Sequence, residues 1–186
     1  GEELGMSNTV FEGIEDFEDI ESTNYYRLAV ERGEDPQTIL SGLRAMGRDN
    51  ARTPVQWDGS THAGFTEGMP WIAVNPNYPV INASEQVGDP TSVFAYFKAL
   101  IELRHRLAVV ANGSFERIDA GSREIFAYRR VLGERELIVI SNLSSHDARP
   151  SLPSDISEAA SEFVPVLTNA NVWEEMDAPL APWRVR

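Results

Sequence analysis

The sequence contains no cysteine, which excludes disulfides, thiolate nucleophiles and thiolate metal sites together. No apolar run reaches the ~18 residues that a membrane-crossing helix needs. The acidic opening stretch has no signal-like apolar core. Histidine is scarce: His62, His105 and His146 lie far apart, without the paired spacing of a helical zinc site, so no metal site is expected. Basic charge is also short. Lys and Arg number 16 against 29 Asp and Glu, a net charge of −13. Such a chain repels nucleic acid and anionic lipid, so neither nucleic acid nor a membrane is an expected partner. The acidity suits a solvated surface and a neutral ligand.

What remains is a globular chain of 186 residues, 42% hydrophobic. That is enough for one domain, or for a small domain plus part of another. A strongly acidic run from Glu12 to Glu21 leads into a helix expected over residues 24–32, with Gly33 as its stop. Asp35 and Pro36 then sit as N-cap and first residue of a second helix, which carries Ile39, Leu40, Leu43 and Met46 on one face and ends at Gly47. Asp89-Pro90-Thr91-Ser92 opens a third, with an apolar stripe of Val93, Phe94, Phe97, Leu100, Ile101 and Leu103. From Asn112-Gly113 the pattern changes to strands, expected over 114–118, 125–131 and 137–141, with turns at 119–121 and 132–134. Short strands are expected at 163–167 and 183–185, and irregular chain over 151–160. A boundary near residue 112 separates helical from β material.

Between the second and third helices lies a loop of roughly 40 residues, a length that marks function or disorder. Trp57, Phe65, Trp71 and Tyr78 argue against disorder, and are expected to pack the loop against its own domain. Its opening reads Gly47-Arg48-Asp49-Asn50-Ala51-Arg52-Thr53-Pro54-Val55-Gln56-Trp57-Asp58. The polar groups there follow neither the helical nor the strand period, and Pro54 breaks a helix. Fork-shaped donors, carboxylates and a flat aromatic face together suit a neutral polyhydroxy ligand. The competing reading is a loop closed by its own salt bridges, with Asp49 and Asp58 pairing Arg48 and Arg52.

This motif, followed by His62-Ala63-Gly64-Phe65 and by Pro70-Trp71-Ile72-Ala73-Val74-Asn75-Pro76-Asn77-Tyr78, resembles the α-glucosidases of glycoside hydrolase family 13. Within that family the likeness is to the oligo-1,6-glucosidase, dextran glucosidase, sucrose isomerase and trehalulose synthase group. Gly1-Glu2-Glu3-Leu4-Gly5-Met6-Ser7-Asn8 is similar to the end of the family's eighth barrel strand. Asp19-Ile20-Glu21-Ser22-Thr23-Asn24 is similar to a segment of the loop that follows. Glu18 departs from the pattern, standing where relatives often carry a basic residue.

The resemblance implies a fold class of α+β: residues 1–112 as the end of a (β/α)8 barrel with its active-site loop and final helix, and residues 113–186 as an antiparallel β-sandwich. It implies substrate-binding roles for Arg48, at the sugar in the −1 subsite, and for Glu21, on the +1 side. Arg52 is expected to hold the loop through an acidic neighbour. The family's catalytic carboxylates match nothing here, so no catalytic residue is assigned and the chain by itself is expected to be inactive. In the intact enzyme the resemblance implies retaining chemistry on short α-linked oligosaccharides or sucrose-like disaccharides, with no cofactor and a cytoplasmic location. The alternatives are a sucrose isomerase or glucosyltransferase as parent, or a non-catalytic carbohydrate-binding or structural β-domain. An apolar helix face that barrel strands cover in the family leads to a further expectation, self-association through that face.

Overall fold

Capping chemistry sets the first elements. In the computed structural model, which describes residues 1–170 and 175–185, helix α1 spans Ile20–Glu31 and α2 spans Pro36–Met46. The first starts four residues before the expected position, because the Asp19 carboxylate accepts from the Ser22 N–H and fixes the N-terminus there. The second starts as its Asp-Pro signal predicts, with Asp35 accepting from Thr38 N–H at 2.8 Å. Gly33 (φ 86) turns the chain between them.

Two compact units emerge, Gly1–Lys98 and one that begins at Ala99. In the first, Phe11, Phe17, Leu40 and Ile72 form a buried core, with Ile14, Tyr26 and Leu43 packed against it. The Phe11 and Phe17 rings stack at 4.3 Å. The Arg44 guanidinium donates to the carbonyls of Phe11 and Glu12, so α2 holds the acidic segment in place.

The long loop is ordered by amide side chains. Buried Gln56 donates to Asn77 Oδ1 and the Ile81 carbonyl, and buried Asn75 donates to the carbonyls of Ser7 and Asn8. Asn82 caps a short helix α3, Ala83–Gln86, by accepting from Glu85 N–H. These bonds satisfy backbone groups that have no ladder partner. The expected aromatic packing is not what secures the loop. Trp57, Phe65 and Trp71 stand exposed and Tyr78 is half-buried, and the buried hydrophobic residues of that stretch are Ala63 and Ile72.

Helix α4, Val93–Arg106, is capped by Ser92, whose hydroxyl accepts from Ala95 N–H. Asp89 closes a tight turn ahead of it. A short α5, Ala108–Asn112, follows. The strands are β1 (Glu116–Ile118), β2 (Ile125–Leu132) and β3 (Arg135–Asn142), joined in one antiparallel sheet of order β1-β2-β3. Gly133 (φ 61) makes the tight turn that pairs Leu132 with Arg135. Ile118, Ile125, Ala127 and Ile140 build the second core together with Ala148, Ile156 and Leu180. Fully buried Asn142 donates to the carbonyls of His146, Leu180 and Ala181 and ties β3 to the C-terminal stretch.

Residues 151–160, expected to be irregular, contain α6 (Ser154–Glu158), which buries Ile156. Residues 163–167 form no strand; Pro165 lacks the donor that a ladder requires. The stretch 183–185 contributes an isolated bridge, Val185 to Ser141. On β2, Phe126 and Tyr128 alternate with buried Ile125 and Ala127. Tyr128 contacts both Phe115 (5.3 Å) and Phe126 (5.6 Å), a row of rings that the strand patterns did not reveal. Among the described residues no helix is long and apolar enough to cross a membrane.

Candidate functional site

Arg48 opens a 3-10 turn, Arg48–Ala51, directly after the Gly47 stop of α2. Its neighbour Asp49 is completely buried. One Asp49 oxygen accepts from the backbone N–H of Glu18 at 2.7 Å and of Asp19 at 2.8 Å, and the other lies 3.4 Å from Arg52 Nη1. The turn therefore grips the start of α1 from a distance of some thirty residues in sequence.

Asp19 is the second buried carboxylate. Its Oδ2 caps α1 through the Ser22 N–H and hydroxyl, and its Oδ1 meets Arg52 at 3.1 Å and Arg48 at 4.0 Å. The Ser22 hydroxyl bond holds the Asp19 carboxyl below its usual pKa; burial opposes this, and the Ser22 backbone N–H and the two guanidinium groups reinforce it. Arg52, bridging Asp19 and Asp49, is thereby engaged by buried partners. Among the described residues Asp58 pairs with no arginine; it accepts from the Ser60 N–H and hydroxyl in a tight local turn.

Arg48 differs from Arg52 in its partner. Its Nη2 lies 2.5 Å from Glu21 Oε2, with the two side chains 61% and 68% exposed. An exposed ion pair stabilises a fold by only ~0–1 kcal/mol. The two buried aspartates thus fix the backbone on both sides, while Arg48 and Glu21 project a guanidinium fork and a carboxylate together at the surface. A fork and an adjacent carboxylate can hold the hydroxyls of a neutral sugar as donor and acceptor.

Sequence reasoning singled out Arg48 and Glu21, and the structure brings them into contact. It did not assign the positioning work to Asp19 and Asp49. For Asp19 a signal existed: an Asp followed three residues later by Ser at a helix start. Among the described residues no group of three or more His, Asp or Glu side chains is placed to hold a metal ion.

A second feature adjoins this loop. His62 (φ 54), Ala63 (φ 57) and Gly64 (φ 64) are all left-handed, a conformation costing ~1–2 kcal/mol per non-glycine residue. Ala63 is wholly buried, and its carbonyl accepts from the N–H groups of Trp57 and Asp58.

Residues 1–113 match the model of the α-amylase catalytic domain. The chain is 46% identical to an oligo-1,6-glucosidase of Bacillus cereus over 88% of its own length and 30% of that protein's. It is 40% identical to a glucan 1,6-α-glucosidase of Streptococcus pneumoniae, over 98% of this chain and 33% of the other. Among solved structures, trehalose-6-phosphate hydrolase of Bacillus licheniformis superposes on all of this chain and 34% of its own, with TM-score 0.87 and 38% identity. Isomaltulose synthase of Klebsiella sp. LX3 does so over 33% of its own chain, with TM-score 0.88 and 31% identity. The chain spans about a third of the length of the curated relatives it matches. A catalytic-domain match over more than half of the residues, with relatives of this identity along nearly the whole sequence, carries the conclusion: the chain belongs to the α-amylase family, glycoside hydrolase family 13.

Proposed function

We propose that the protein carrying this chain is an α-glucosidase that cleaves short α-linked gluco-oligosaccharides, with Arg48 and Glu21 on the sugar. The observation that carries the reading is the contrast between the two arginines. Arg52 is held by buried Asp19 and Asp49 at 3.1 and 3.4 Å, as a structural cation is, whereas Arg48 reaches Asp19 only at 4.0 Å and meets, at 2.5 Å, a partner as exposed as itself. A surface ion pair of little stabilising value, mounted on two buried carboxylates, is arranged for a ligand.

In this reading Arg48 donates in a planar fork to hydroxyls of the terminal glucose, and Glu21 accepts from a hydroxyl of the leaving sugar. Neither bonds to the anomeric carbon. Cleavage with retention needs a nucleophilic carboxylate and an acid/base carboxylate; Arg48 and Glu21 orient the sugar for that chemistry and resist its rotation in the site. Residues 1–112 then belong to the end of the catalytic barrel with its active-site loop, and residues 113–186 to an antiparallel β-sandwich.

The α-1,6 preference is supported by the names of the similar oligo-1,6-glucosidases. A sucrose isomerase is the second reading, favoured by the likeness to isomaltulose synthase. Incubating the intact protein with isomaltose, maltose and sucrose, with products followed by proton NMR, separates the two. The expected result is release of α-glucose, fastest from isomaltose. Conversion of sucrose to an isomer with no cleavage of isomaltose would replace the proposal with the second reading. Inertness on all three would remove both.

A further inference from the structure

A cavity of about 510 Å³ lies in the strained part of the loop, lined by Ser60, Thr61, His62, Phe65, Thr66 and Glu67 beside Gly64. None of these residues belongs to the Arg48–Glu21 cluster. The volume falls in the ~300–1,000 Å³ range of small-molecule sites. We propose that this cavity is a second saccharide-binding site, taking a neutral glucosyl unit against the Phe65 ring.

The chemistry of the lining selects the ligand. It offers an imidazole, one carboxylate and three hydroxyls, of which Ser60 already donates to Asp58 and Thr66 already accepts from Gly68 N–H; together they can still donate to and accept from sugar hydroxyls. It contains no arginine or lysine, so an anion has no counter-charge, and a single carboxylate is a poor cage for a metal ion. Phe65 is 44% exposed, an aromatic face outside either core and open to the C–H face of a sugar. Among the described residues, no hydrogen bond or ion pair engages the side chains of Thr61, His62 or Glu67.

The backbone is organised around the same place. Left-handed His62 and Ala63 are sustained by bonds from Ala63 N–H to Ser60 O at 2.9 Å, from Phe65 N–H to His62 O at 3.0 Å, and from Trp57 N–H to Ala63 O at 2.9 Å. Without that turn His62 and Phe65 would not line one cavity. Strained non-glycine backbone persists where surrounding structure over-determines it, and ligand clamps are such places.

The test uses the intact protein and a thio-linked isomaltose that hydrolases do not cleave, titrated by calorimetry. The wild type should bind two equivalents. Phe65→Ala should weaken one class of site at least tenfold and leave the other, while Arg48→Ala should weaken the other class alone. Because Phe65→Ala could disturb the fold, Thr61→Ala/Glu67→Gln, which changes only exposed side chains, serves as a second variant with the same expectation. Loss on changing the cavity but not on changing Arg48 would keep this inference and defeat the Arg48 assignment. A single equivalent in the wild type, or unchanged binding in both cavity variants, would overturn it.

Discussion

Replacing Asp49 with alanine tests how the site is held. The buried carboxylate accepts from the N–H groups of Glu18 and Asp19 at 2.7 and 2.8 Å, immediately ahead of the helix that carries Glu21. A hydrogen bond to a charged acceptor contributes ~1.5–3 kcal/mol, and the methyl group supplies no acceptor in its place. With ~1.4 kcal/mol per factor of ten, opening at these two amides should become roughly 10- to 150-fold more frequent. The assay is amide hydrogen exchange on the intact protein, read at Glu18 and Asp19 with the amides of β2 and β3 as internal controls. Asp49→Asn keeps one carbonyl oxygen and should fall between wild type and alanine. Unchanged exchange at both amides in Asp49→Ala would refute the view that this carboxylate anchors the start of α1.

Two further outcomes follow from the same geometry. Gly64→Ala places a Cβ 2.6 Å from an Asp58 carboxylate oxygen on a left-handed backbone, so it should destabilise by at least the ~1–2 kcal/mol of the backbone alone, measured by urea denaturation; a neutral effect would contradict the turn. Asp19 has a folded pKa below its usual value, chiefly through the Ser22 hydroxyl, so its contribution is present above the unfolded value of about 3.9 and is lost as pH falls through the lower folded one. Asp19→Asn should therefore lower stability at pH 6 and flatten its decline below pH 4, and parallel pH curves for the two proteins would contradict this.

How far the sequence reads depends on how local each cause is. Asp35-Pro36 and the Gly133 turn act within three residues, and the structure has both where the residues point. The start of α1 depends on Asp19, whose capping role was hidden in an acidic run that reads equally well as a solvated face. The sugar-binding roles of Arg48 and Glu21 were implied by resemblance, but their contact with each other was not. Their shared support on Asp19 and Asp49 joins positions about thirty residues apart, and no periodicity encodes that. The left-handed His62 and Ala63 were illegible for a different reason: alanine carries no signal for positive φ, and the enrichment of histidine there does not single out one residue of three. The exposed Trp57, Phe65 and Trp71 were read as packing residues because aromatic rings are usually buried, and composition does not say which rings are not.

The central claim is that Arg48 binds sugar whereas Arg52 holds the loop. Its most direct test is steady-state kinetics of the intact protein on isomaltose beside thermal melts, for Arg48→Ala, Arg48→Lys and Arg52→Ala. Arg48→Ala should lose on the order of 2–4 kcal/mol in kcat/KM, from charge-assisted bonds to the sugar. It should melt like wild type, since its pair with Glu21 is exposed and its contact with Asp19 is long, at 4.0 Å. Lysine should restore little, because an ammonium lacks the fork. Arg52→Ala should melt earlier, with a smaller loss of activity in the protein that stays folded. An Arg48→Ala protein with near-wild-type kcat/KM, or one whose only defect is an earlier melt, would contradict the account and return Arg48 to the role of a loop salt bridge.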